Sequence, residues 1–290
     1  QSISVVTREE LTMRAPLNMQ EALRYAPGVR SEQYGFDARG DWATIRGGSF
    51  GQFLNGMRNL FGFYNNVRPE PFALEQIEVM RGPSSVLYGQ GGFGGVINLV
   101  SKRPLEAARG EVNVQVGSFG RKQIGVDVTG PAGNSQKLFY RLVGVGRDSG
   151  TQVKHVPDDR LLMAPSLSWR PTARTRITLL GNFQEDRMGS SVGFFPWRGT
   201  VQPHPLGRID PGTFISEPAI DEYLSNARSG GYLFEHNFDR FTVRQNFNYS
   251  HSRVSYQTLY AAFSPRPVFN ADDRTINRVI YLNKPTANSP

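Results

Sequence analysis

Residues Leu74–Pro104 read LEQIEVMRGPSSVLYGQGGFGGVINLVSKRP, and the rest of the chain is organised around them. Ile77 and Val79 alternate with Glu78, the pattern of a strand with one buried face. A turn is expected at Arg81-Gly82-Pro83 and a helical turn over Ser84–Tyr88. A second strand follows at Val96–Val100. Between them, Gly89 to Gly95 holds five glycines in seven residues, so the backbone there takes positive φ or packs against something very close. Gly89-x-Gly91-x-x-Gly94 has the spacing of a dinucleotide-binding fingerprint. That fingerprint needs a helix after the glycines to carry the pyrophosphate, and here a β-branched strand follows instead.

Outward from this stretch, residues 1–73 are short and irregular. Thr7-Arg8-Glu9-Glu10 has the form of a capping box, and Asn18 with Glu21 marks a second helix start. The second helix is expected over 19–26, closed by Pro27-Gly28. From Val29 to Val67 the chain is loop-rich, with short strands expected at Ala43–Arg46 and Phe53–Met57. Such a segment makes a poor independent core and suits a globule held inside something larger.

After Pro104 the texture changes to long alternating segments. Val112, Val114 and Val116 alternate with Glu111, Asn113 and Gln115, and Ile124, Val126 and Val128 with Gln123, Gly125 and Asp127. Leu161, Met163, Leu167 and Trp169, then Ile177, Leu179 and Phe183, continue the pattern, as do Tyr232, Phe234 and Phe238 and then Val243, Phe247 and Tyr249. A strand at 137–147 alternates less cleanly. The connections at 130–136, 171–174 and 239–240 are tight, whereas 148–159, 186–229 and 252–275 are long; the connection 117–121 is short where a long one is due. Short turns at one end and long loops at the other are the pattern of an outer-membrane barrel. A further strand is expected from Arg274, cut at Pro290.

Composition narrows the function. The 290 residues carry 31 glycines and 11% aromatics, with no apolar run near the roughly 18 residues of a membrane helix. The net charge of +8 is spread over 33 scattered Lys and Arg, which argues against a nucleic-acid face. With no cysteine there is no disulfide, thiolate metal site or thiol nucleophile. His155, His204, His236 and His251 are isolated, no GxSxG elbow occurs, and Asp158-Asp159 and Asp272-Asp273 are expected to be solvated loop charges. No catalytic or metal-ligating residue is assigned.

The Leu74–Pro104 string resembles the end of the plug domain in TonB-dependent outer-membrane receptors for ferric siderophores. QSISVVT at 1–7, EALRYAPGV at 21–29, Ile45-Arg46-Gly47, Leu54-Asn55-Gly56 and Phe63-Tyr64-Asn65 are similar to plug landmarks in that family's order, and FTVRQN at 241–246 resembles a barrel strand of its ferrichrome branch. The resemblance implies a mainly β fold: an α+β plug over 1–105, then over 106–290 the first seven or eight strands of an antiparallel transmembrane β-barrel. So few strands could not enclose a plug, whereas transporter barrels of about 22 strands do. The native receptor is therefore expected to extend past Pro290, and the missing signal peptide suggests a processed or truncated start.

The resemblance also implies a role: a bacterial outer-membrane receptor that binds a ferric siderophore and imports it with energy from TonB, surrounded by outer-membrane lipid and lipopolysaccharide. Iron would travel on the siderophore, with no protein-bound cofactor. By position the resemblance assigns ligand contacts to Tyr34, Gly51 and Gln52 (as an apical loop), Tyr64, Phe194 and Tyr260. Val192 and Ala262 replace aromatic ligands of the ferrichrome branch, and Tyr34 replaces an arginine, departures that argue against ferrichrome itself. Arg46 and Arg81, each beside a glycine at a strand end, are expected to seat the plug against barrel carboxylates beyond Pro290. The competing functions are a receptor for cobalamin, haem or a glycan, with His204 the candidate haem ligand, a passive porin-like channel, and a soluble carbohydrate-binding β-protein.

Overall fold

The structure is a computed structural model and describes residues 2–37, 39–59, 67–82, 88–89, 91–262 and 268–289. The expected helical turn at Ser84–Tyr88 falls largely outside them.

Two sheets divide the chain. The first is built from β1 (Ser2–Val6), β4 (Phe50–Leu54), β5 (Met57–Arg58), β6 (Leu74–Arg81) and β7 (Gly95–Ser101), in the order β1-β6-β7-β4-β5. All its pairings are antiparallel except β4 with β7. Two helices, α1 (Arg8–Arg14) and α2 (Met19–Ala22), and a small ribbon of β2 (Val29–Ser31) with β3 (Ala43–Ile45) cover it. Val6, Leu11, Met19, Leu23, Ile45, Ile77, Val79, Ile97 and Leu99 form one buried cluster. Burying an aliphatic side chain of this size is worth about 1.5–3 kcal/mol, so this cluster holds the unit together.

Local chemistry sets the boundaries. The Thr7 hydroxyl accepts from Glu10 N at 3.3 Å and the Asn18 side chain from Glu21 N at 2.9 Å, so both helix starts fall where expected. The second helix is shorter than 19–26. After Ala22 the bonds tighten to i→i−3, Arg24 N to Glu21 O and Ala26 N to Leu23 O, because Pro27 disfavours helical geometry at the residue before it. The strand expected at Phe53–Met57 is a hairpin: Asn55 and Gly56 take φ of 53° and 83° and turn β4 into β5.

The glycine run is needed for close approach. A Cβ on Gly92 would lie 2.3 Å from Ser49 O, on Gly94 2.4 Å from Ile45 O, and on Gly95 2.0 Å from Met80 O. The segment lies directly on the backbone of its neighbours.

The second sheet is a meander. It comprises β8 (Arg109–Val116), β9 (Lys122–Pro131), β10 (Leu138–Asp148), β11 (Asp158–Thr172), β12 (Thr175–Met188), β13 (Glu222–Asn237), β14 (Thr242–Ala261) and β15 (Arg278–Asn283), each antiparallel to the one before, with β16 (Thr286–Ser289) also on β14. Its polarity is inverted relative to a soluble sheet. Outward lie Tyr140, Leu142, Leu161, Met163, Trp169, Leu179, Phe183, Phe247 and Tyr249, all exposed; inward and buried lie Gln123, Asp127, Arg141, Arg147, Arg160, Ser168, Thr178, Gln184 and Asp186. An apolar outer face with a polar inner one fits a wall whose outside meets lipid. No helix among the described residues is long and apolar enough to cross a membrane.

Three boundaries differ from expectation. β13 begins at Glu222 and β14 runs on to Ala261, so the long connections are shorter than 186–229 and 252–275. Strands of 16 and 20 residues exceed the 9–11 that cross a bilayer. Above the lipid the outward positions, such as Asn226, Arg228 and Arg253, no longer need to be apolar, and the alternation fades. The strand expected from Arg274 starts at Arg278, because Asp272 accepts from the N–H groups of Arg274 and Thr275 and closes a turn there.

Candidate functional site

The connections after β10, β12 and β14 share one end of the meander, and plug residues 34–37 and 39–42 include the ones that meet the loop after β12. The Ser191 hydroxyl donates to Phe36 O at 2.8 Å. The loop after β12 is fixed from below: Asp221 accepts from Ser190 N at 2.7 Å and from the Thr258 hydroxyl at 2.6 Å. Burial pushes the Asp221 carboxyl up, and these hydrogen bonds oppose the push.

Under this loop Tyr223, Tyr256 and Tyr260 are buried with Met188 and Val254, and Phe36, Val192 and Tyr281 pack against them. Tyr256 Oη lies 3.0 Å from Ser190 Oγ and shares a hydrogen bond with Tyr260 Oη. Phe194, held at a φ of 50°, meets the Tyr260 ring edge-on at 5.0 Å between centroids. Arg39 lies 5.7 Å from the Phe194 ring centroid and 6.0 Å from that of Trp42. Its guanidinium is gripped by Asp37, Nε to Oδ1 at 3.0 Å and Nη2 to Oδ2 at 2.7 Å, and Trp42 Nε1 donates to the same carboxylate at 2.8 Å. Tyr34, exposed, stands edge-on to Trp42 at 5.9 Å. The result is an aromatic cluster with one internally neutralised arginine: Tyr34 and Phe194 are its exposed rings, and Tyr223, Tyr256 and Tyr260 are the buried layer that supports them. Among the described residues no group of His, Cys, Asp or Glu could hold a metal ion.

The structure therefore brings Phe194 and Tyr260 together, with Tyr34 at the rim. Gly51 and Gln52 lie in β4, not in an apical loop: Gln52 pairs with Ile97, and its buried Nε2 has no hydrogen-bond partner. They were expected in a loop from their position in the family resemblance; here Gly51 lies in the strand and leaves space against Gly91 and Gly92. Tyr64 lies outside the described residues. Arg81 is buried and spends its guanidinium inside the plug, on Pro27 O, Ser2 and Ser4, while Arg46 is exposed at a φ of 51°. Sequence reasoning missed Asp37, Arg39, Trp42 and Tyr256. Tyr256 and Tyr260, four apart, share a face of a strand, and that spacing was the available signal.

A second feature went unread. The plug is seated on the wall by buried ion pairs. Arg68 Nη2 lies 3.0 Å from Asp158 Oδ1, and Arg160 bridges Glu70 at 2.9 Å and Asp186 at 2.6 Å. Lys102 reaches Asp127 at 2.6 Å, which also takes Arg141 at 2.8 Å. Burial lowers the Lys102 ammonium to about 8, against the hydrogen bond it donates to Asp127. Asp158 is thus no solvated loop charge: it begins β11 facing inward, and its partners come from the plug and from β10. The Phe72 ring covers Gly125 of β9, whose added Cβ would sit 3.0 Å from it, and carries Lys102 Nζ at 4.1 Å from its centroid.

Comparison with known proteins follows the same lines. The family model described as the TonB-dependent receptor plug domain matches residues 1–96. Among curated proteins, the ferrichrome outer membrane transporter/phage receptor of Escherichia coli (strain K12) is 38% identical over 266 residues, 90% of this chain and 36% of that protein. The ferrioxamine B receptor of Salmonella typhimurium (strain SL1344) is 35% identical over 269 residues, 90% of this chain and 38% of that protein. The chain thus spans little more than a third of the length of these relatives. Among solved structures, the closed form of the ferric-catecholate import receptor Fiu from E. coli K12 superposes with a TM-score of 0.85 at 21% identity, over 99% of this chain and 42% of that one. The ferripyoverdine receptor of the Pseudomonas aeruginosa outer membrane gives 0.86 at 20%, over 99% and 38%. At these identities the superpositions speak for the fold.

Proposed function

Since the chain belongs to the TonB-dependent receptors, as a plug followed by the first part of an outer-membrane barrel, we propose that the receptor containing it binds a ferric siderophore and carries it to the periplasm with energy from TonB. The observation that carries this is the aromatic cluster of Phe194, Tyr260, Trp42 and Arg39, where the plug meets the loop after β12. Residues 1–105 act as the plug and 106–290 as wall, in contact outside with lipid and lipopolysaccharide. The ligand sits against the exposed rings of Phe194 and Tyr34, with Tyr260 packed behind Phe194 and Arg39 beside it, and Tyr64 belongs to its surroundings. Iron stays on the siderophore, and the protein is a transporter with no catalytic step and no resident cofactor.

The test uses the full-length receptor in a strain lacking its own copy, grown under iron limitation on single ferric siderophores. Growth restored by a ferric hydroxamate, and lost when TonB is removed, is expected. Rescue by no siderophore, with TonB-dependent uptake of cobalamin, haem or a glycan instead, overturns the proposal. In the purified receptor, Phe194→Ala and Arg39→Gln should each weaken siderophore binding about tenfold, the scale of one good aromatic or charged contact.

A further inference from the structure

The seam between plug and wall contains one acid that the ion pairs leave out. Asp41 is 8% exposed, and neither carboxylate oxygen has accessible surface or a hydrogen-bond partner. Atoms without accessible surface cannot be satisfied by water or by any further segment while the plug stays as it is. Around Asp41 stand Arg68 and Glu70 of the plug and Asp158 and Arg160 of β11. Each of the other three carboxylates of this network is held by arginine: Glu70 by Arg160 and Arg147, Asp158 by Arg68, Arg121 and Arg147, Asp186 by Arg160. Arg68 is itself incompletely used. Its Nη2 serves Asp158, while its Nε and Nη1 are buried without partners. An acid and a cation with free hydrogen-bonding capacity are thus shut into one interface without meeting.

We propose that Asp41 is a proton-sensitive latch between plug and barrel wall, neutral in the most stable seated plug and ionised as the plug is primed to leave. A buried carboxylate without hydrogen bonds has lost its hydration with nothing in return, and a carboxyl in that position takes up a proton instead. Burial accordingly pushes Asp41 up to about 6, with Arg68 and Arg160 opposing the shift. The sign follows from proton counting. Between the ordinary Asp value of 3.8 and about 6 the seated plug holds a proton that the displaced plug does not. Seating is therefore strongest below that window and weakens as pH rises through it. The device is independent of which cargo the receptor binds.

The experiment uses the full-length receptor in lipid nanodiscs, with a fluorophore on Met13→Cys at an exposed site of the plug, and follows plug release in urea at pH 4.5 and 7. The wild type should release at lower urea at pH 7 than at pH 4.5. Asp41→Asn should release at higher urea than wild type at pH 7 and lose the pH dependence. A midpoint for Asp41→Asn that falls below wild type at pH 7, or still moves with pH as wild type does, overturns the proposal. Should the variant fail to assemble, infrared spectra of wild-type receptor carrying carbon-13 in its aspartates provide a second arm. A protonated carboxylic-acid band present at pH 5, lost by pH 7 and retained in an Asp221→Asn receptor supports the latch, and its absence from that receptor at pH 5 refutes it.

Discussion

Single residues decide how tightly this chain is folded around its glycines. Gly95 holds a φ of 139°, and a Cβ there would enter the Met80 carbonyl. Gly95→Ala should cost at least about 1–3 kcal/mol in the backbone alone, and more through the clash, read as a lowered urea midpoint of the plug. Gly82, also at positive φ but in open space, should lose less on the same change. The density of glycines was legible in the sequence, but their reason was not, since the neighbours they spare, Ser49 O and Ile45 O, come from a strand pairing thirty to fifty residues away. The same limit applies at the aromatic cluster. Phe194 and Tyr260 came from family position, while Arg39 matters only because folding brings it to Phe194 across about 150 residues, with Trp42 beside it.

At the scale of elements, the strands carry the clearest message. Alternation in β8, β9, β11 and β12 was visible because the outward half meets lipid and so is selected for one property along its length. β10 was muddier, since Val143 and Val145 face inward toward the plug alongside Arg141 and Arg147 and blur the contrast. Leu179, half exposed on the outer face of β12, tests the orientation. Leu179→Arg should destabilise the barrel by about 2–4 kcal/mol if it lies near the bilayer midplane, measured by folding into lipid vesicles. The inward Thr178→Arg should fail differently, by displacing the plug and leaving the lipid-facing belt intact.

For the molecule as a whole, buried charge pairs join the plug to this part of the wall, beside apolar contacts such as Val67 on Ala227 and Phe72 on Gly125. Arg68, Glu70 and Lys102, within 35 residues of one another, reach β9, β10 and β11. Removing one member of a buried pair strands the other, so Glu70→Leu should weaken plug seating by about 3–5 kcal/mol. A Glu70→Leu, Arg160→Leu double-mutant cycle on plug release should return a coupling of about 1–3 kcal/mol. Nothing in the local sequence marks these charges as buried, because a lone Arg or Asp reads as solvated until the surface opposite it is known. Division into plug and wall was legible; their joint was not.

The position of β1 has a mechanical consequence. Ser2 to Val6 run antiparallel to Arg81 to Ile77, so a pull on the N-terminal side of the plug loads the ladder from its Ser2–Arg81 end, one rung at a time, as in opening a zip. Such a geometry resists little force per rung. The first obstacle is the Arg81 guanidinium, hooked on Ser2 and Ser4 of that strand and on Pro27 O behind it. Beyond it the ladder yields in sequence, while the ion pairs on Arg68, Glu70 and Lys102 still hold the far side of the plug to the wall. A tug on β1 would therefore unravel the plug from one edge before it dislodged the body.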